Sequence, residues 1–366
     1  MKIIFCGGGT VGHITPAIAV ADYINKHDKT SEILFIGRDG GTENKIIELK
    51  KYKMLTIDVI GFKRNLSLKN IKCINMTHKA SKRVKQIIDD FKPDIVYGTG
   101  GYVTFPVIRH AQKMKIKTVI HESNACPGFA TKLLAPKCDR LLLNLPDSDK
   151  YFKRKENIRI VGNPVRSEFF SQSKEYSRKK LGIRNDEILI SSFGGSGGSE
   201  IINNVILAVM RSFTKEAPKI KHFHSCGQKY YKTITEHNSD LLKNKGKIII
   251  TPYVDDSPTL MIASDIIISR CGAVTLSEIS ACGKPAILIP SPNVTNDHQR
   301  KNAKIFSDAE AATVIDEAEL NERTLLDAIK KLVYNDELRK SQGQLIKKYS
   351  VKDSANVIYN ELVKLL

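Results

Sequence analysis

Short runs of β-branched and aliphatic residues alternate with longer amphipathic stretches from one end of the chain to the other. A parallel sheet wrapped by crossover helices gives this pattern, because its strands are buried on both faces and its helices on one. The pattern predicts strands at Lys2–Cys6, Glu32–Ile36, Asp94–Tyr97, Thr118–His121 and Arg140–Leu143. In the second half it predicts them at Glu187–Phe193, His222–Ser225, Lys247–Thr251, Asp265–Ser269 and Pro285–Pro290. Between the halves, an extended segment Ile158–Val161 runs into Gly162-Asn163-Pro164, whose turn chemistry precedes a charged, polar stretch and marks a domain break. Each half is expected to form its own doubly wound, nucleotide-binding-type α/β sheet.

Length and composition agree with two cores. A chain of 366 residues is long for one core, and 41% hydrophobic content can fill two. The apolar start, Met1 to Cys6, is shorter than a signal-peptide core, and no run approaches the ~20 apolar residues of a membrane span, so a cytosolic protein is expected. Seven scattered cysteines in no Cys-x-x-Cys spacing read as free, buried thiols. The formal charge of +19 calls for a phosphorylated substrate, an anionic membrane surface or nucleic acid. Nucleic acid is disfavoured, since the chain has no Trp and no basic tract interleaved with aromatics.

Candidate chemistry sits where predicted strands run into glycines. Gly7-Gly8-Gly9-Thr10-Val11-Gly12-His13 follows the first strand and leads into a helix expected at Thr15–Lys26, with Pro16 in its first turn. Glycines let backbone N–H groups crowd a phosphate, and a helix N-terminus adds a favourable dipole. Gly7-x-Gly9-x-x-Gly12 also fits a dinucleotide fingerprint, and hence an oxidoreductase. The acidic residue expected at the second strand tip is not cleanly present, because Gly37-Arg38-Asp39 occupies it. Further loops, Gly98-Thr99-Gly100-Gly101-Tyr102 and Gly194 to Gly198, follow other strands, at the strand ends where open α/β sheets bind ligands.

The most specific segment is Ser269-Arg270-Cys271-Gly272-Ala273-Val274-Thr275-Leu276-Ser277-Glu278, followed by Gly283-Lys284-Pro285 and Asn296 to Ala303. Gly272 and Ala273 are small enough for a helix N-terminus to meet a diphosphate. Glu278, within two turns, can accept hydrogen bonds from a ribose diol, and His298 and Gln299 can read sugar hydroxyls.

These motifs, GGGTVGHITPAIAVA, GTGGYVTFP, HESNACPG, VGNPVR, GGSGGSEIIN, SRCGAVTLSE and DHQRKNA in that order, resemble the GT-B glycosyltransferases, and closely the MurG-type family, over nearly the whole chain. The resemblance implies two Rossmann-like domains facing across a cleft. Residues 1–163 would form the acceptor and membrane-associating domain, with a final helix at about 351–366 packing back onto it, and 164–350 the UDP-sugar donor domain. It implies transfer of N-acetylglucosamine from UDP-N-acetylglucosamine to the 4-hydroxyl of undecaprenyl-diphosphate-linked N-acetylmuramyl-pentapeptide, without a cofactor. Further implied partners are the anionic inner membrane surface and cell-wall synthesis and division proteins. Carried over, Ser196 would contact the UDP phosphates, Val254 the uracil, Glu278 the ribose and Gln299 the sugar. Arg166 would pair with nucleotide phosphate or with the interdomain cleft, Ala273 would lie at the donor diphosphate, Thr275 would be a further substrate-binding residue, and Thr10, Val11, Gly12 and Asn124 would line the sugar and acceptor side. Gly9, Gly100, Gly101 and Tyr102 would form the loops for the acceptor diphosphate. Val11, Phe105, Ser123, Gly197 and Ser199 depart from the family pattern, and Val11 bears most on backbone approach at the first loop.

Displacement with inversion needs a base for the acceptor hydroxyl and stabilisation of the departing diphosphate. His13, with an ordinary pKa near 6.5, is the first candidate base, and Glu122 and His121 compete with it. Asp147-Ser148-Asp149 is the one metal-type spacing, and its place before the domain break argues for no metal. Lys63, Arg64, Lys69, Lys72, Lys79, Lys82, Arg83 and Lys85, among Leu66, Leu68, Ile71, Ile74 and Met76, are expected to rest on the cytoplasmic membrane face. Alternatives are a GT-B glycolipid synthase using diacylglycerol, a nicotinamide-dependent oxidoreductase, and a non-catalytic nucleotide-sugar-binding protein.

Overall fold

The computed structural model describes residues 1–8, 11–41, 43–59, 68–195, 197–216, 219–244 and 246–366, without side chains at 11, 43, 68–78 and 214–216. The chain divides into two compact units, Met1–Val165 with Asp353–Leu366, and Arg166–Lys352.

Unit 1 is built on seven strands, β1 Lys2–Cys6, β2 Glu32–Arg38, β3 Lys53–Ile57, β4 Ile95–Gly98, β5 Lys117–Glu122, β6 Arg140–Leu143 and β7 Ile158–Ile160. They lie in the order β3-β2-β1-β4-β5-β6-β7, every neighbouring pair parallel. The chain winds outward from β1 to β3 and then returns to begin again at β4. β1 and β4 therefore flank the switch point where such sheets leave a crevice.

Phe5 stacks on Phe35 at 5.2 Å and meets Tyr97 at 5.1 Å, filling one face of the sheet. The helices Val11–His27 and Ser354–Val363 cover that face with Ile14, Ala17, Ile24, Ile358 and Leu362, and Tyr23 donates to Asn356 across them at 2.8 Å. The other face is covered by Val84, Ile87 and Ile88 of the helix Leu68–Phe91 and by Val103, Val107 and Ile108 of the helix Gly101–Lys113. Each such fully buried aliphatic side chain contributes about 1.5–3 kcal/mol.

The first helix begins at Val11, not at Thr15, so Pro16 lies inside it and not in its first turn. Pro16 forfeits one ladder bond, to the carbonyl of Gly12. The apolar stripe Ile14, Ala17, Ile18, Ala21 and Ile24, all buried, holds the helix regardless.

Unit 2 carries β8 Ile188–Phe193, β9 Ile220–Ser225, β10 Ile248–Thr251, β11 Ile266–Ser269, β12 Ala286–Leu288 and β13 Thr313–Val314. Their order is β10-β9-β8-β11-β12-β13, again all parallel, with the switch point between β8 and β11. Ile190, Ile266, Ile268 and Ile287 pack against Ile206, Val209, Met210 and Phe213 of the helix Glu200–Glu216. Pro285 and Pro290 bracket β12 and keep it to three residues, since proline donates nothing to the ladder.

Candidate functional site

In unit 1 the switch point sets the loop after β1 against the loop after β4. His13, half-buried in the first turn of its helix, lies with Nδ1 3.2 Å from the carbonyl oxygen of Thr99. A carbonyl can only accept, so Nδ1 carries the proton and Nε2 the lone pair of the neutral ring. Glycine is required opposite: Gly100 has φ 104 and Gly101 φ 76, and a Cβ on Gly101 would overlap the carbonyl oxygen of Gly8. A Cβ on Gly100 would come within 3.0 Å of His13 Nδ1. The Thr104 hydroxyl accepts from Gly100 N at 3.1 Å and lies 2.8 Å from Gly100 O and 3.1 Å from Cys6 O, tying the loop to β1. Tyr102, half-buried, sits beside Arg38, whose Nη1 is 3.4 Å from its hydroxyl. Gly12 is exposed, while Gly9 and Thr10 lie outside the described residues, as does the side chain of Val11.

Glu122 ends β5 with a buried carboxylate that accepts four hydrogen bonds. Asn124 N and Nδ2 reach Oε1 at 3.1 and 3.2 Å, and Gly128 N and the Thr131 hydroxyl reach Oε2 at 2.9 and 2.7 Å. Both oxygens are thus turned to the loop that carries Asn124, a geometry suited to holding Asn124 and not to accepting a substrate proton. His121 is fully buried and donates from Nε2 to Gly162 O at 3.0 Å. Burial pushes its pKa down to about 4, opposed by that bond, so the ring stays neutral.

In unit 2 the helix Ala273–Cys282 starts at the switch point. Its N-cap, Gly272, supplies no side-chain acceptor, Ala273 is buried, and Thr275 is half-buried in the first turn. Glu278 is half-buried in the second turn, and its carboxylate makes no hydrogen bond within the described residues. Burial pushes its pKa up to about 7, opposed by the charge of Arg166. Arg166 is exposed and donates from Nη1 to Asp255 O at 3.2 Å and from Nη2 to the Ser257 hydroxyl. These contacts bring it beside the half-buried Val254.

Gln299 pins two loops with one atom, since its Oε1 accepts from Cys271 N at 3.2 Å and Ser291 N at 2.9 Å. Its Nε2 donates to nothing within the described residues, which leaves the amide N–H groups for a ligand. His298 instead turns Nδ1 to Thr295 O at 2.8 Å, closing the start of its helix. Ser196 lies outside the described residues.

The motif reading missed a role for Arg270. Its guanidinium donates to the Ser199 hydroxyl at 2.7 Å and Ile289 O at 3.3 Å and pairs with Glu317, joining the loops after β8 and β12. A half-buried cation between loops is held by several acceptors, and those partners are far apart in sequence.

Residues 3–143 match the glycosyltransferase family 28 N-terminal domain and residues 189–358 the glycosyltransferase family 28 C-terminal domain. The UDP-N-acetylglucosamine–N-acetylmuramyl-(pentapeptide) pyrophosphoryl-undecaprenol N-acetylglucosamine transferase of Caldicellulosiruptor saccharolyticus is 39% identical over 350 residues, 95% of this chain and 93% of that protein. Its counterpart from Acetivibrio thermocellus is 37% identical over 364 residues, 100% of this chain and 98% of that one. Among solved structures, Acinetobacter baumannii MurG superposes with a TM-score of 0.80 at 23% identity, covering 99% of both chains, and shows the same GT-B fold. This chain belongs to the family of UDP-N-acetylglucosamine–N-acetylmuramyl-(pentapeptide) pyrophosphoryl-undecaprenol N-acetylglucosamine transferases, within glycosyltransferase family 28.

Proposed function

We infer that this chain moves N-acetylglucosamine from UDP-N-acetylglucosamine to the 4-hydroxyl of undecaprenyl-diphosphate-linked N-acetylmuramyl-pentapeptide, inverting the anomeric carbon, as a step of peptidoglycan synthesis. The observation that carries this reading is the chain-long identity, 39% over 350 residues, to a relative named for that transfer. We assign the donor to unit 2 and the acceptor to unit 1.

Within unit 2, the N-terminus of the helix Ala273–Cys282 and Arg166 stabilise the departing diphosphate, with the Gly194–Gly198 loop beside them. Glu278 takes the ribose diol, Val254 the uracil through its backbone, and the Nε2 of Gln299 a sugar hydroxyl. In unit 1 the glycine loops after β1 and β4 hold the acceptor diphosphate. His13 takes the hydroxyl proton at Nε2, the atom that its bond to Thr99 leaves basic. Glu122 acts through Asn124 as a positioning residue.

The localisation we propose is peripheral, on the anionic cytoplasmic face of the membrane. Among the described residues no helix is long and apolar enough to cross a bilayer. In the helix Leu68–Phe91, Lys79, Lys82, Arg83 and Lys85 are exposed, whereas Ala80, Val84, Ile87 and Ile88 are buried. Leu66 lies outside the described residues, and the side chains of Leu68, Ile71, Ile74 and Met76 are not described.

Release of UDP tests the reading, measured with a short-chain lipid-diphosphate muramyl-pentapeptide and, in parallel, with diacylglycerol. Turnover is expected with the first acceptor, and turnover with diacylglycerol alone overturns the assignment. In the same assay His13→Ala is expected to lose about 10²–10⁴-fold in rate while still binding UDP.

A further inference from the structure

Behind the Gly194–Gly198 loop runs a chain of buried polar side chains to which the reaction above gives no part. Ser192 on β8, His222 and His224 on β9, and Asn203 on the helix Glu200–Glu216 are 0, 3, 0 and 1% exposed. Ser192 Oγ lies 2.9 Å from His222 Nε2 and 2.8 Å from His224 Nδ1. His224 Nε2 is 3.0 Å from Asn203 Oδ1, and Asn203 Nδ2 donates to Cys226 O at 3.0 Å.

The far end fixes the direction of every bond. The Cys226 carbonyl can only accept, so Asn203 turns its NH₂ there and its oxygen to His224. His224 then donates from Nε2 and accepts at Nδ1. Ser192 gives its single proton to that Nδ1 and receives one from His222 Nε2, its 3.4 Å approach to Phe223 O being the weaker option. Burial pushes the pKa of His222 down to about 3 and that of His224 to about 4, so both rings are neutral, as this pattern requires.

The chain ends at the Cys226 carbonyl, in the turn after β9 that abuts the loop. Gly198 has φ 74, and a Cβ there would overlap the Cys226 carbonyl oxygen. A Cβ on Gly227 would come 2.7 Å from Gly198 Cα and 2.8 Å from Gly197 O. The turn after β9 and the loop after β8 therefore lie backbone on backbone, and the amide of Asn203 anchors the first of them. Asn203 N also donates to Ser199 O at 2.8 Å, in the turn that leaves the loop.

We propose that Asn203 and His224 are positioning residues for nucleotide-sugar binding: through the Cys226 carbonyl they hold the turn after β9 against Gly198 and so set the backbone of the donor loop. This rests on the reading that unit 2 binds the UDP-sugar. It explains why two histidines stand two apart on one strand with a serine on the next: period-two spacing puts them on one sheet face. Bonded at every link from His222 Nε2 to the Cys226 carbonyl, such a network stiffens what it touches, although His222 Nδ1 has no partner among the described residues; cut at one bond, it leaves more buried groups unpaired.

The test compares Asn203→Ala with Ile206→Ala, a cavity in the same helix at a fully buried position outside the chain. Asn203→Ala is expected to raise the KM for UDP-N-acetylglucosamine and the Kd for UDP about tenfold, with kcat and the acceptor KM within about twofold. Ile206→Ala is expected to lower Tm at least as much and leave both donor constants in place. His224→Gln, whose amide can donate to Asn203 and accept from Ser192, is expected to bind UDP more tightly than His224→Ala. Imidazole ¹⁵N spectra should show His222 and His224 neutral at pH 6, with the proton on Nε2. Equal donor KM shifts in Asn203→Ala and Ile206→Ala, or a proton on His224 Nδ1, would overturn the proposal. Wild-type protein that fails to bind UDP would instead sink the donor reading on which it rests.

Discussion

Glu278 is a carboxylate that bears the cost of burial with no hydrogen bond among the described residues to offset it. Its folded-state pKa of about 7 lies above the usual 4.5. Between those values the native state holds a proton that the unfolded chain has released, so stability falls as pH rises through that window, and the penalty is complete above it. Replacing the ionisable group removes the penalty: Glu278→Gln is expected to raise the Tm of the ligand-free protein at pH 8 and to change it little at pH 4.5, as a thermal scan would read. A ribose diol donates to the ionised form, so the affinity of wild-type protein for UDP-N-acetylglucosamine is expected to fall as pH drops below 7, approaching tenfold per unit. Calorimetry on Glu278→Gln should find weaker binding with that slope gone; an unchanged slope would remove Glu278 from the ribose site. Glu278 and Gln299 were legible as polar groups near a helix start. That one atom of Gln299 faces inward to Cys271 and Ser291, and that Glu122 is spent on its own loop, could not be read, because their partners are set by folding and not by spacing.

At the scale of elements, the left-handed glycines of unit 1 fall into two kinds. Gly101 has φ 76 and faces the Gly8 carbonyl, whereas Gly40 has φ 63 and nothing within 4 Å of where a Cβ would stand. Alanine at either position carries the left-handed backbone cost of about 1 kcal/mol, but only at 101 must two loops also part. Gly101→Ala is therefore expected to lower Tm further than Gly40→Ala and to cut turnover, which Gly40→Ala should leave near wild type. Equal losses in Tm and rate would mean that the loop contact contributes nothing. The buried central strands were plain in the sequence because β-branched runs mark them. β3, Lys-Met-Leu-Thr-Ile, and the two-residue β13 were missed: both are edge strands, and an edge strand buries less and so carries a weaker pattern. Pro16 suits a first turn and so points to a helix start at Thr15, four residues late, because buried Ile14 and Ala17 outweigh the single bond it forfeits.

For the whole molecule, the question is where a charge of +19 acts. The stretch from Lys63 to Arg83 and Lys85 holds no acidic residue, and composition alone could not say whether it was a solvated helix face or a docking face. The fold settles the sidedness of its described end. Val84, Ile87 and Ile88 are spent on the sheet, so Lys79, Lys82, Arg83 and Lys85 form a polar outer face whose own apolar residues cannot insert into lipid. From these residues any attraction to a bilayer is then chiefly electrostatic, about 1 kcal/mol for each basic residue near anionic lipid. Electrostatic attachment is screened, because the Debye length shrinks from about 10 Å at 0.1 M salt to about 3 Å at 1 M. Neutralising Lys82, Arg83 and Lys85 together is therefore expected to weaken binding to phosphatidylglycerol-containing vesicles by about two orders of magnitude, with Tm unchanged because all three side chains are exposed. Cosedimentation of wild-type protein should fall in parallel as salt is raised, and zwitterionic vesicles should not retain it. Binding that resists both salt and the triple substitution would place the attachment elsewhere, on apolar side chains rather than on this basic face.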